Sequence, residues 1–141
     1  MTGTQQLHHL ADRYRLAVIY VFGSRAVEIA ARLEGRAATV SAPLADVDIG
    51  VQPELGHRPT AQDRVEIVVA LEALFGVKRV DLVVLPEAGP YLALDIIRGE
   101  LIYCRDPDQQ AEDELYILRR AGDLAYFEKE RRKMILTGGG R

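Results

Sequence analysis

Gly23-Ser24-Arg25, Asp46-Val47-Asp48 and Asp81 are the residues of this sequence whose types and spacing point to chemistry. A Gly-Ser turn at the entry to a helix presents backbone N–H groups and the positive end of the helix dipole to an anion. The Ser24 hydroxyl adds one hydrogen bond, and Arg25 can pair with phosphate if it turns inward. Two aspartates one residue apart share a face of a strand, because side chains there alternate with a period of two. Asp81 opens a further apolar run, Val80-Asp-Leu-Val-Val-Leu85. Magnesium prefers oxygen ligands at about 2.0–2.1 Å, with substrate phosphates completing its shell. Three carboxylates on neighbouring strands would hold two such ions about 3.5–4 Å apart, one activating an attacking hydroxyl and the other clamping a triphosphate. Phosphoryl or nucleotidyl transfer asks for that set: a polyphosphate held in place and charge neutralised during in-line displacement. Gly23, Ser24 and Arg25 are therefore the candidate nucleotide-binding residues. Asp46, Asp48 and Asp81 are the candidate catalytic and metal-binding residues.

Singly, each signal is weak. Gly-Ser occurs in many loops, and Asp-x-Asp on an exposed strand is commonly a solvated face. The acids here lie within otherwise apolar strands, where an isolated carboxylate is costly unless paired or metal-bound. A purely structural alternative has Arg25, Lys78 or Arg79 neutralising them without metal.

The elements that must position these residues follow from periodicity. Residues 5–15 predict a short helix with Leu7, Leu10, Ala11 and Tyr14 on one side. His8 and His9 fall about 100° apart on it, so they read as solvated surface, not a shared metal site. Leu16–Phe22 is β-branched, aromatic and apolar on both faces, as a central strand would be. Gly23 permits a sharp turn, Ser24 is an expected N-cap, and residues 25–34 predict a helix closed by Gly35. Gly35–Ala45 loses periodicity and predicts a mobile loop. Asp46–Val51 is a strand with Asp46 and Asp48 on one face and Val47, Ile49 and Val51 on the other. Thr60 and Asp63 form an expected capping box for a helix over 61–75, ended by Gly76. Arg79–Leu85 is a third strand, 90–97 a short helix, and 100–104 a further strand. Asp106-Pro107 is a strong helix start. The segment that follows stays helix-compatible to about residue 136, acidic at its start and basic at its end, with Gly122 a candidate break.

The 141 residues suit one domain, and a net charge of −3 provides no global field for nucleic acid, so direct nucleic-acid binding is not expected. Cys104, the sole cysteine, excludes an internal disulfide and a cysteine-based zinc site, and its apolar setting reads as a buried, inert thiol. Neither a secretory signal nor a membrane-length apolar run is evident, which points to the cytoplasm.

On these residues the sequence resembles the polymerase-β-type nucleotidyltransferases, specifically the minimal nucleotidyltransferase (MNT) group. Gly23, Ser24, Asp46, Asp48 and Asp81 match that family's Gly-Ser, Asp-x-Asp and later Asp. The likeness continues in Phe22-Gly-Ser-Arg-Ala26, Val80–Leu85 and Asp95–Pro107, and so covers most of residues 16–107. The 21 residues between Ser24 and Asp46 exceed the family's usual spacing. Loop insertions cost little, so the fold is expected to survive, while the loop is placed to alter nucleotide access or acceptor choice.

The resemblance implies an α/β (α+β) fold: a central mixed sheet of about four or five strands flanked by helices, with a long C-terminal helix. It implies one nucleotidyltransferase domain over 1–141, with a core at about 16–107, a helical extension at about 107–136 and a tail over 137–141. It further implies an antitoxin that transfers AMP from ATP, with Mg2+, to a tyrosine hydroxyl of a HEPN-type toxin, its partner in a hetero-oligomer. Two alternatives stay open: an antitoxin that neutralises its toxin by binding alone, and a nucleotidyltransferase acting on a small molecule. Enzymes of the latter kind usually carry an additional helical domain, for which this chain is short.

Overall fold

The structure, a computed structural model, describes residues 2–35 and 46–136. The loop expected over Gly35–Ala45 and the tail over 137–141 therefore fall largely outside the described residues. The elements are α1 (Gly3–Tyr14), β1 (Leu16–Phe22), α2 (Ala26–Leu33), β2 (Val47–Pro53), α3 (Ala61–Phe75), β3 (Val80–Val84), α4 (Pro90–Ile97), β4 (Glu100–Cys104) and α5 (Pro107–Met134). A 3-10 turn over Leu85–Glu87 follows β3.

Four strands form one mixed sheet in the order β3-β2-β1-β4. The pairings of β1 with β2 and with β4 are antiparallel, and β2 runs parallel to β3 through α3. The doubly apolar Leu16–Phe22 is thus an interior strand, as its composition predicts. Alternation divides each strand between two layers. Ile19, Val21, Val47, Ile49 and Val51 face α1, α2 and α3 and pack with Leu7, Ile29, Ile67, Leu71 and Phe75. Val18 and Tyr20 face the other way, onto Ala93 and Ile96 of α4 and Ile117 of α5. Gly50 lies on this second face, where Ile96 packs so closely that any Cβ would collide with it.

Local signals set most helix ends. Thr60 and Asp63 exchange side chain-to-backbone hydrogen bonds of 3.0 Å in a capping box, and Gly76 ends α3 with φ +65°. Asp106 accepts from the backbone N–H of Asp108 at 3.0 Å, with Pro107 as the first residue of α5. Two expectations fail. Ser24 does not cap α2; Arg25 is the N-cap residue and makes no side-chain cap bond. Gly122 does not divide α5, which runs 28 residues unbroken. Anchorage of its first half offsets the glycine's cost: Ile117 and Ala121 are buried, and the Tyr20 hydroxyl donates to Glu114 at 2.7 Å. Among the described residues no helix is long and apolar enough to cross a membrane.

Candidate active site

β1 ends at Phe22, whose register partner on β2 is Asp48. The chain then turns through Gly23 at φ +80°, a left-handed conformation that glycine adopts without strain. The Ala26 N–H donates to the Gly23 carbonyl at 3.3 Å, so Ser24 and Arg25 form the body of a turn. That geometry uses Ser24 before the helix begins, which is why its hydroxyl is not the cap. Gly23 and Ser24 are exposed, and the first-turn amides of α2, which have no partners within the helix, follow at once.

Asp48 lies directly against this turn. A Cβ on Gly23 would stand 2.5 Å from Asp48 Oδ2. The alternation of β2 explains the carboxylate's direction: Val47 and Ile49 on either side are fully buried in the opposite layer. Asp48 is also the register partner of Asp81 in the parallel β2–β3 ladder. Burial, then the negative charges of Asp81 and Asp46, push the Asp48 carboxyl above the usual carboxylate range. Asp81, distant in sequence, therefore shares one electrostatic environment with Asp46 and Asp48. Asp46 precedes β2 and is the most exposed of the three.

Arg79 occupies the gap between two of them. Its Nε donates to Asp81 Oδ1 at 3.1 Å and stands 3.8 Å from Asp46 Oδ2. Of the three basic residues considered as structural neutralisers, Arg79 is the one that reaches a pair of acids. Its side chain is two-thirds exposed, at 67%, so it can leave without opening the core. Arg25 does turn inward: it is 5% exposed, with Nη2 3.5 Å from Glu28 Oε1.

Among the described residues no three carboxylate, imidazole or thiol groups close into a ready-made metal cage. The donor set nonetheless suits a hard divalent cation in kind. Oxygen donors only are offered, like charges repel one another across Asp46, Asp48 and Asp81, and a cation between them would reverse that repulsion. Cys104, expected to be buried, is only partly so, whereas His8 and His9 lie at the surface as expected. The Cys104 thiol stands 3.2 Å from Gln110 Oε1, and its pKa is raised chiefly by burial.

One feature beside the site escapes the sequence reading. A groove of about 380 Å3, lined by Arg64, Val65, Val68, Val69, Val80 and Leu82, opens next to Asp81. Val65 and Val69 are 58% and 59% exposed, off the buried stripe of Ile67, Leu71 and Phe75. The available signal was their excess over that stripe: α3 carries more apolar residues than one face can bury.

A model of the polymerase β nucleotidyltransferase family matches residues 5–108. Several solved structures share the fold. One of a toxin–antitoxin with AMP-PNP aligns at TM-score 0.60 and 21% identity over 94% of each chain. A toxin–antitoxin MntA-HpeT mutant aligns at TM-score 0.62 and 20% identity, again over 94% of each. A tri-AMPylated Shewanella oneidensis HEPN toxin in complex with MNT antitoxin gives 0.58 and 20%, over 94% of this chain and 92% of the other. No curated protein matches by sequence.

Proposed function

Since the chain belongs to the polymerase β nucleotidyltransferase family, we propose that it transfers AMP from ATP to a tyrosine hydroxyl of a HEPN-type toxin and so serves as that toxin's antitoxin. The observation that carries this is the contact of Asp48 with Gly23 and its register pairing with Asp81. It brings the Gly23-Ser24 turn and two carboxylates of separate strands to one point. The similar structures with AMP-PNP and with an AMPylated HEPN toxin support ATP as donor and a HEPN protein as acceptor.

In this reaction the acceptor tyrosine oxygen attacks the α-phosphorus of ATP. A new P–O bond forms, the bond from that phosphorus to the α–β bridging oxygen breaks, and pyrophosphate leaves. Gly23 and Ser24 hold the β- and γ-phosphates through the turn's amides and the Ser24 hydroxyl. Arg25, next in the chain after that turn and buried beside Glu28, contributes positive charge to the site. Asp46, Asp48 and Asp81 would hold Mg2+. The metal, when bound, neutralises developing phosphate charge and acidifies the acceptor hydroxyl. Asp81 receives the hydroxyl proton. Arg79 must swing away from Asp46 and Asp81 before these carboxylates can serve.

A second reading, in which the chain neutralises a toxin by binding alone, is favoured by one observation: Arg79 already pairs with Asp46 and Asp81. One experiment separates the two. The chain is incubated with α-32P-labelled ATP, Mg2+ and a HEPN protein encoded beside it. Label on the HEPN protein that disappears in Asp46→Ala/Asp48→Ala supports transfer. Equal, negligible labelling by both forms, with the variant still neutralising the toxin in cells, supports binding alone.

A further inference from the structure

We propose that the outward face of α5 is the docking surface for a second copy of this chain, helix against antiparallel helix about a two-fold axis at mid-helix. Steps of about 100° per residue place Gln110, Glu114, Ile117, Ala121 and Glu128 on one side of α5. That side is the anchored one. Ile117 and Ala121 are buried, Glu114 accepts from Tyr20, and Glu128 accepts from Tyr91 at 2.9 Å. The same steps place Asp108, Glu112, Leu115, Gly122, Tyr126 and Lys129 on the opposite side, all of them exposed.

Three properties of this outer stripe point to a copy of itself. Two apolar residues flank its centre: Leu115 is 46% exposed and Tyr126 67%, with exposed Arg119 beside the axis. Between them lies Gly122, whose would-be Cβ meets no atom within 4 Å. A mid-helix glycine costs about 1 kcal/mol relative to alanine, and here it neither interrupts the helix nor makes room within the chain. A small residue on an outer face does let another helix approach closely. Finally, charge is distributed with opposite sign at the two ends. An axis through the middle of α5, between Arg120 and Ala121, sets Glu112 opposite Lys129 and Asp108 opposite Lys133. The same axis sets Leu115 on Tyr126 and Gly122 on Arg119. A parallel arrangement would instead stack Glu112 on Glu112 and Lys129 on Lys129. The stripe is thus self-complementary in the one orientation that a closed two-fold dimer requires. No candidate site residue lies on it.

Sedimentation equilibrium of the purified full chain tests this over about 1–100 µM, a range that brackets a modest dimer. The expected result is a monomer–dimer equilibrium that Leu115→Asp abolishes. Glu112→Lys converts two attractive contacts per dimer into repulsive ones and is expected to weaken it about tenfold. Glu112→Lys/Lys129→Glu restores opposite charges and should return the affinity to within about threefold of wild type. Circular dichroism of each variant confirms that α5 stays helical. A chain that remains monomeric throughout the range overturns the proposal. So does a dimer indifferent to Glu112→Lys or Leu115→Asp, or one that the double exchange fails to restore. Monomers whose complex with a HEPN protein is weakened by the same variants would assign the face to that protein and equally overturn it.

Discussion

Asp48 and Gly23 are fitted to each other: the aspartate's Oδ2 occupies the space that a Cβ on residue 23 would need, 2.5 Å away. The glycine's left-handed backbone turns the chain toward α2, and its missing side chain admits the carboxylate. One residue thus serves both the turn into α2 and the placement of an acid from another strand.

Gly23→Ala is therefore expected to be damaging twice over. The left-handed backbone costs a non-glycine residue about 1–2 kcal/mol, and the new methyl must displace Asp48. A lowered thermal midpoint should accompany AMP transfer reduced about a hundredfold, the scale expected for a misplaced catalytic group. Wild-type melting and turnover in the variant would show that the contact is unimportant.

Asp48→Asn is expected to stabilise the metal-free chain while abolishing transfer. The Asp48 carboxyl is pushed up by burial and by its acidic neighbours. For an acid so raised, the stability contribution is full below its unfolded-state pKa and is lost as pH rises through the folded one. The asparagine variant should therefore melt higher than wild type at pH 7. That difference should shrink as pH falls below the ordinary carboxylate range. Melting curves in chelator across pH check the sign, and a variant less stable at pH 7 would contradict it.

Arg79→Ala distinguishes a gatekeeping arginine from a structural neutraliser. The side chain is largely exposed, so losing its ion pairs should change stability by less than about 1 kcal/mol. Asp46 and Asp81 are then released, and Mg2+ affinity, measured by calorimetry, should rise severalfold. If Arg79 stands permanently in place of metal, Mg2+ will bind neither form.

Tyr20→Phe tests the anchorage of α5. Burial and hydrogen bonding to Glu114 raise the phenol's pKa well above its usual value. The folded state therefore gains from this group below about pH 10, the unfolded-state value, and loses that gain in more alkaline solution. The phenylalanine variant should lose about 1 kcal/mol at neutral pH, the usual worth of such a bond. It should also show a weaker alkaline decline in stability than wild type. Denaturant titration at pH 8 and pH 11 reads both.

What residues do within a few positions of one another was legible beforehand. Leu16–Phe22 shows itself as an interior strand by being apolar on both faces. Thr60, Gly76 and Asp106-Pro107 mark helix ends because capping is settled between near neighbours. The period-two pattern of Asp46–Val51 already puts Asp48 on the face opposite Val47 and Ile49. The miss at Ser24 has a local cause too: capping preference does not reveal that Gly23 spends the next two residues on a turn.

The sequence by itself determined the elements, the facing of Asp48 and the kinds of donor available, since these depend on side-chain preference and periodicity. Tertiary structure alone decided that Phe22, Asp48 and Asp81 stand side by side across three strands, because strand register depends on how whole faces bury against α1, α3 and α4. It likewise selected Arg79 from three basic candidates, exposed Val65 and Val69 beside Asp81, and kept α5 whole through Gly122. Each of these outcomes is a competition between groups distant in the chain, decided by which arrangement removes most apolar surface from water while leaving charged groups within reach of solvent or one another.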